Sequence, residues 1–320
     1  MNPIIGKTRD LDPVTWTISP SQLNQFNNCE YQWYMEKIIN IKSPQNAAMT
    51  RGTAYHKAVE DLWKYNVKVS PIDEDVQSND GEVVDAANVP FNLSGQPGDV
   101  LTGLISPFAK SFRDWGLKCF EEAWASNRRF VDHETKEYDA LHDSSLIAFL
   151  HYVDKCIMMV ESRVREKHKS YASAYSDSRP FVREKKLYSK SKLENGVIDY
   201  VRNEPTGRVI GDWKTGHPYG SGHSQEYFRQ LSFYAYLDEE NEGELPAYVE
   251  INYVIHGLTL RYAVTREMVD EIKRQLAHMR QRIAEAQAPE GKFIKNTSYR
   301  WCKSCFLGIS GLCDRDGKTV

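Results

Sequence analysis

Two aspartates and a lysine stand in a stretch built for extended chain. Asp199 lies in Gly196-Val-Ile-Asp-Tyr-Val201, and Asp212 and Lys214 lie in Arg208-Val-Ile-Gly-Asp-Trp-Lys214. Between the two β-branched runs comes Asn203-Glu-Pro-Thr-Gly207, a cluster of turn formers, so the segment reads as a β-hairpin. Side chains two apart on a strand share a face, so Asp212 and Lys214 project together and the hairpin brings Asp199 beside them. Two carboxylates held close repel each other, and a protein that keeps them together usually places a cation between them. Oxygen ligands in a partly hydrated site suit magnesium or manganese. Such an ion polarises a phosphoryl oxygen and lowers the pKa of bound water, while a lysine orients that water or offsets developing negative charge. The plainer alternative is a hairpin with a solvated salt bridge.

Other residues add to the pattern. Arg51-Gly-Thr-Ala-Tyr-His56 opens a helix well upstream of the hairpin, and Gln230-Leu-Ser-Phe-Tyr234 follows it. His56 reads either as a satisfied structural histidine or as a metal ligand. Gln230 and Tyr234, four apart, stack on one helix face, where an amide can hold a base edge or phosphate and a phenol can stack on a base. Near the C-terminus Cys302-Lys-Ser-Cys305 is followed by Cys313, while Cys29 stands alone near the N-terminus. Read by itself, Cys29 is a small buried hydrophobe, and three thiols with no local fourth ligand suit neither a zinc ribbon nor a zinc finger.

An apolar strand with an embedded Asp, a turn, a strand ending Asp212-Trp-Lys214-Thr-Gly216, a downstream Gln-x-x-x-Tyr and an upstream His together resemble the PD-(D/E)XK nuclease superfamily, in particular its RecB-like exonuclease branch. The likeness runs from Ser19 to Cys313. It implies an α/β fold, a restriction-endonuclease-like core with a mixed central sheet flanked by helices, plus a helical insertion. It further implies that Asp199 and Asp212 hold a Mg2+ or Mn2+ ion, that His56 adds to its shell, that Lys214 positions water, and that Gln230 and Tyr234 orient DNA. Glu184 matches an acidic position used near the metal by some members, although a surface glutamate beside Lys185 and Lys186 reads equally well. In a subset of RecB-like enzymes, AddB-type and CRISPR-adaptation nucleases among them, an N-terminal cysteine completes a C-terminal trio around a 4Fe-4S cluster. Cys29, Cys302, Cys305 and Cys313 occupy the matching places, with structural zinc as the alternative.

Positioning these groups requires a set of helices and strands. Ser19-Pro-Ser-Gln22 supplies a capping serine, a proline at the first helical position and a glutamine three after the cap. Leu23, Phe26, Trp33 and Ile38 continue one apolar stripe, predicting a single helix that carries Cys29. Further helices are expected over Thr53–Tyr65, Pro107–Phe130, Ser144–Ser170 and Thr265–Ala286. On the last of these, the outer Lys273, Arg274, Arg280 and Arg282 read as a solvated face. Phe181–Tyr188 reads as a strand, and Tyr248–Ile255 and Leu258–Val264 as a second hairpin. Residues 66–106 hold many acids, glycines and prolines and read as a loop or insertion. Cys119 and Cys156 fall within amphipathic patterns as structural thiols. Four segments result: 1–65 with the cluster Cys and the His, 66–178 as acidic loop and helical insertion, 179–288 as the nuclease core, and 289–320 as the cysteine tail.

Composition sets the outer bounds. The 320 residues carry a formal charge of −3, so any nucleic-acid surface must be a local patch. No run approaches the roughly 20 apolar residues of a membrane span, and no signal-peptide core is evident, which implies a cytoplasmic location without membrane partners. Gly317-Lys-Thr319 is not a P-loop, because no glycine stands at the required upstream position. The expected activity is that of a Mg/Mn-dependent deoxyribonuclease, an exonuclease acting on or through single strands or free ends in DNA recombination, repair or replication. A helicase or recombination protein would be its partner. Two other readings stay open: a non-catalytic DNA-binding subunit of a larger complex, and an iron-sulfur or zinc scaffold.

Overall fold

Ser19 starts the first helix because its hydroxyl accepts the Gln22 N–H and Pro20 fits the first turn. The computed structural model describes residues 4–43, 47–67, 106–127, 136–180, 182–216, 218, 224–299 and 302–314. A short strand pair, β1 (Ile4–Ile5) with β2 (Ile41–Lys42), frames helices α1 (Pro20–Asn28) and α2 (Glu30–Lys37). Three longer helices follow, α3 (Ala47–Leu62), α4 (Pro107–Asn127) and α5 (Lys136–Lys167), and then the short α6 (Tyr171–Ser178). The main sheet comprises β3 (Val182–Tyr188), β4 (Asn195–Glu204), β5 (Gly207–Lys214), β6 (Tyr248–Tyr253) and β7 (Leu258–Ala263). Helix α7 (Ser224–Glu242) crosses from β5 to β6, α8 (Arg266–Ala286) follows β7, and the single-turn α9 (Phe306–Ile309) lies in the tail.

The five strands lie in sequence order. β3, β4 and β5 form an antiparallel meander, β5 and β6 run parallel, and β7 returns antiparallel. The mixed sheet follows from the connections, since Pro205 and Thr206 make a tight turn from β4 to β5, whereas a parallel neighbour requires a crossover such as α7. Each face carries its own core. Leu23, Phe26 and Trp33 of α1 and α2, Phe233 of α7 and Ile272 and Met279 of α8 bury Ile198, Ile210 and Ile251. On the other side Trp63, Phe112, Phe120 and Phe149 from α3 to α5 share a cluster with Tyr200 and Trp213. The helices preceding the sheet are thus continuous with it through apolar packing.

Three expectations change. The first stripe is not one helix, because the chain breaks at Cys29, whose extended backbone ends α1 and caps α2. Asn27 and Asn28 precede the break, and asparagine gives up helical bonding readily. The outer face of α8 is not wholly solvated either. Arg280 donates to the Pro13 and Trp16 carbonyls and pairs with Glu194, and Arg282 grips both oxygens of Glu30 at 3.0 Å. Ser170 caps α6, a separate short helix beyond the expected end of the long one. The acidic stretch expected at 66–106 lies almost entirely outside the described residues, as do positions 128–130 and the Gly317-Lys-Thr319 sequence.

One contact fixes the pairing of the central strands. The Tyr200 ring crosses β5 over Gly211, and its hydroxyl donates to Glu250, which is fully buried on β6 and also held by Arg202 and Arg261. A Cβ on residue 211 would stand 1.9 Å from Tyr200 Cζ, so only glycine fits beneath the ring. Gly211→Ala is therefore expected to destabilise the protein by about 1–3 kcal/mol, as overpacking does. Urea unfolding measures the effect, and an unchanged midpoint would show that the ring is free to move aside.

Candidate active site

The hairpin pairing runs from Glu204–Gly207 to Tyr200–Gly211, and the next residue on each strand is an aspartate. Asp199 and Asp212 are both buried at the point where the ladder parts. Asp199 Oδ2 accepts the backbone N–H of Trp213 at 2.7 Å, leaving Oδ1 facing Nδ1 of His56 at 3.5 Å. His56 comes from α3, which is held against the sheet by Tyr55, Ala58, Val59 and Leu62 in the second core. Its side chain keeps 30 % of its surface open. Glu184 enters from β3, between residues paired with Tyr200 and Ile198, and its Oε1 lies 3.7 Å from His56 Nδ1. Its backbone adopts a φ of 47°, a left-handed conformation uncommon for a side chain of this kind.

Among the described residues, the donor atoms of His56, Glu184 and Asp199 form the group of three that lie within 4.8 Å of one another and suit an ion. Asp212 stands next to this group. Its Oδ1 accepts from the Gln230 amide at 3.0 Å, while Lys214 Nζ lies 2.6 Å from Oδ2. Both oxygens of Asp212 thus face a partner, the Gln230 amide and the Lys214 ammonium. The α7 helix adds a second layer. Gln230 accepts from Lys214 at 3.0 Å and donates to the Tyr234 hydroxyl at 2.7 Å, so its amide is engaged on both sides. Tyr234 is 4 % exposed, which removes base stacking from its reach in this arrangement. Gln230 and Tyr234 are therefore joined to Asp212 and Lys214.

The charges explain the protonation states. Burial opposes charging His56, but Asp199, Glu184 and Asp212 outweigh it and push its pKa up to about 10. Burial raises the Asp212 carboxyl above the ordinary aspartate range; Lys214 pulls it back and Asp199 adds to the rise. Lys214 is held above the usual lysine value, because Asp212 and Asp199 overcome the cost of burying its ammonium. The lysine thus stays charged and donates hydrogen bonds. The donor set fits a hard divalent cation: the carboxylate oxygens of Glu184 and Asp199 and one imidazole nitrogen, gathered within 4.8 Å. Mn2+ suits the nitrogen better than Mg2+, and any ion at Nδ1 must first displace its proton.

A residue beyond those picked out by motif also enters the site. Tyr227, one turn before Gln230 on α7, places its ring 4.9 Å from Lys214 Nζ. Its position three residues before Gln230 and seven before Tyr234 is the periodic signal that marks it on the same face.

At the other end of α1, Cys29, Cys302, Cys305 and Cys313 line one pocket with Tyr31, Lys295 and Tyr299. Cys302 opens a 3-10 turn, Cys305 caps α9, and the Cys313 N–H donates to the Leu307 carbonyl. Burial raises the Cys305 and Cys313 thiols. No three of these sulfurs gather within 4.8 Å. Cys119 and Cys156 are buried elsewhere, with pKa values pushed up to about 12 by burial. Polar bonds join the pocket to the first turn of α7. Asn28, beside Cys29, donates to Glu226 and to Tyr299, and Tyr299 donates to Glu226 in the first turn of α7, each at 3.0 Å.

This mixed sheet, with an acidic group at the end of a hairpin and a lysine two residues beyond its second aspartate, has the organisation of a PD-(D/E)XK nuclease core. The chain matches the PD-(D/E)XK nuclease superfamily over residues 17–308 and belongs to it. Members of this superfamily are typically nucleases that use divalent metals. A search of curated proteins gives no match. No helix among the described residues is long and apolar enough to cross a membrane.

A bound ion should report on the geometry directly. Mn2+ at about 100 times its dissociation constant is expected to stabilise the protein by about 2.7 kcal/mol. His56→Ala should weaken that binding at least as much as loss of an outer-shell partner does, about 10–100-fold. Calorimetric titration and thermal melting test both, and full Mn2+ affinity in His56→Ala would remove the imidazole from the site.

Proposed function

We propose that this chain is a Mg2+- or Mn2+-dependent deoxyribonuclease that acts as an exonuclease on or through single-stranded DNA, in recombination, repair or replication. The observation that carries the reading is the approach of His56, Glu184 and Asp199 to within 4.8 Å beside buried Asp212 and its Lys214 partner. In it, His56, Glu184, Asp199 and Asp212 hold the ion. When bound, the ion supplies Lewis acidity towards a phosphoryl oxygen and lowers the pKa of its water. Lys214, held against Asp212 and Gln230, would orient that water and neutralise charge building on the phosphate. Gln230 fixes Asp212 and Lys214 relative to each other, and Tyr234 fixes Gln230. The exonuclease assignment draws on the RecB-like order of the His, Asp, Asp-x-Lys and Gln-x-x-x-Tyr motifs, and the same resemblance suggests a helicase or recombination protein as partner.

The cysteine pocket is assigned to a 4Fe-4S cluster held by Cys29, Cys302, Cys305 and Cys313. Four thiols lining one pocket match that cluster in number and softness, with structural zinc as the alternative.

Incubation of end-labelled single- and double-stranded DNA with magnesium, manganese or chelator tests the activity. Asp212→Asn and Lys214→Ala should each lower cleavage by at least about a hundredfold while keeping the fold. Turnover near wild type in either would remove the site. A protein that binds DNA but never cleaves it would instead be a non-catalytic subunit.

Anaerobically purified protein should be brown with about four iron and four sulfide per chain. Cys29→Ala should lose the colour, whereas Cys119→Ala and Cys156→Ala should keep it. A colourless wild type with stoichiometric zinc would replace the cluster by zinc.

A further inference from the structure

Arg51 lies on α3, the helix that carries His56, and its Nη2 donates to the carbonyl of Thr215 at 3.0 Å. Thr215 directly follows Lys214, so the guanidinium sits beside the end of β5 where the acidic site opens. The two segments are close, since a Cβ on neighbouring Gly52 would lie 3.7 Å from Thr215 Oγ1. Among the described residues that bond is the one Arg51 makes with the protein; its Nε is buried without an acceptor and no carboxylate pairs with it. Arg202, Arg208, Arg261, Arg280 and Arg282 each sit against a carboxylate. Burial with no counter-charge pulls the Arg51 pKa below the usual arginine value. A half-buried guanidinium in that state is costly to keep, and a bound anion relieves the cost.

The anion must also approach a group of three carboxylates. A free peptide acid gains little there, whereas a phosphodiester would be drawn in by a cation held on those carboxylates and offers tetrahedral oxygens that match a guanidinium fork. We propose that Arg51 is a substrate-binding residue of this site, donating to a non-bridging oxygen of the DNA backbone at or next to the phosphate that is cleaved. The assignment rests on the nuclease reading above. Arg51 then acts on the side opposite the α7 residues, and α3 delivers both a metal ligand and a phosphate ligand.

The test uses the full chain, Mn2+ and a fluorescein-labelled single-stranded oligonucleotide in which one linkage at a time is a neutral methylphosphonate. Arg51→Met should lower kcat/KM by about 10²-fold and reduce the salt slope of binding by about 0.7, one phosphate's share, with Mn2+ affinity unchanged. At one linkage near the cut, methylphosphonate should slow wild type strongly and slow Arg51→Met no further. A purely structural role for Arg51 predicts additive losses at every linkage, and that result overturns the proposal. If Arg51→Met does not fold, Arg51→Lys carries the same comparison, since an ammonium keeps the charge but loses the fork. A wild type that cleaves while both variants match it overturns the Arg51 assignment alone; a wild type that neither binds nor cleaves DNA overturns the nuclease reading as well.

Discussion

Mutual repulsion among Glu184, Asp199 and Asp212 is the constraint around which the molecule is built. Carboxylates drawn together in a partly dry site are stable only if positive charge is interleaved with them. His56 supplies one such charge against Asp199 and Glu184, and Lys214 another against Asp212. Each comes from a different element, so the balance holds only while α3, β3 and the hairpin keep their places. The two apolar cores perform that task, one fixing α3 to Trp213 and Tyr200 and the other fixing α7 beneath Gln230.

The sheet delivers these groups because its pairing is hard to shift. Sliding β4 by one residue would drive the Tyr200 ring off Gly211 and strand Glu250 among its arginines. The ends of the chain are fastened separately. Arg280 and Arg282 bind the N-terminal segment and α2 to α8, and the α1–α2 corner meets the tail at the pocket the four thiols line. Asn28, Glu226 and Tyr299 connect that corner to the first turn of α7, which carries Tyr227 against Lys214.

Much of this was legible in the sequence because hairpin and helix periods are local. The Asn203–Gly207 turn formers, the Asp-x-Lys spacing and the four-residue step from Gln230 to Tyr234 each follow from one element's geometry. What depends on tertiary contact was not. The break at Cys29, where the corner meets the tail, leaves no mark on the apolar stripe, which runs on from Phe26 to Trp33. Arg280 and Arg282 look solvated until Glu194 and Glu30 arrive from distant segments. Alternation along β4 also fails locally, since Ile198 joins one core and Tyr200 the other, and the change of face falls at Asp199 opposite the left-handed Glu184.

That backbone at Glu184 places the site in tension with the stability of its own scaffold. A left-handed conformation costs a residue with a Cβ about 1–2 kcal/mol, which glycine does not pay. Selection for a more robust protein would favour glycine there, and glycine cannot carry a carboxylate to His56. The fold therefore retains a local excess of free energy that can be removed only along with the group it presents. In a directed search for thermostable variants, position 184 is where gain in melting temperature and loss of the acidic group would arrive in the same substitution.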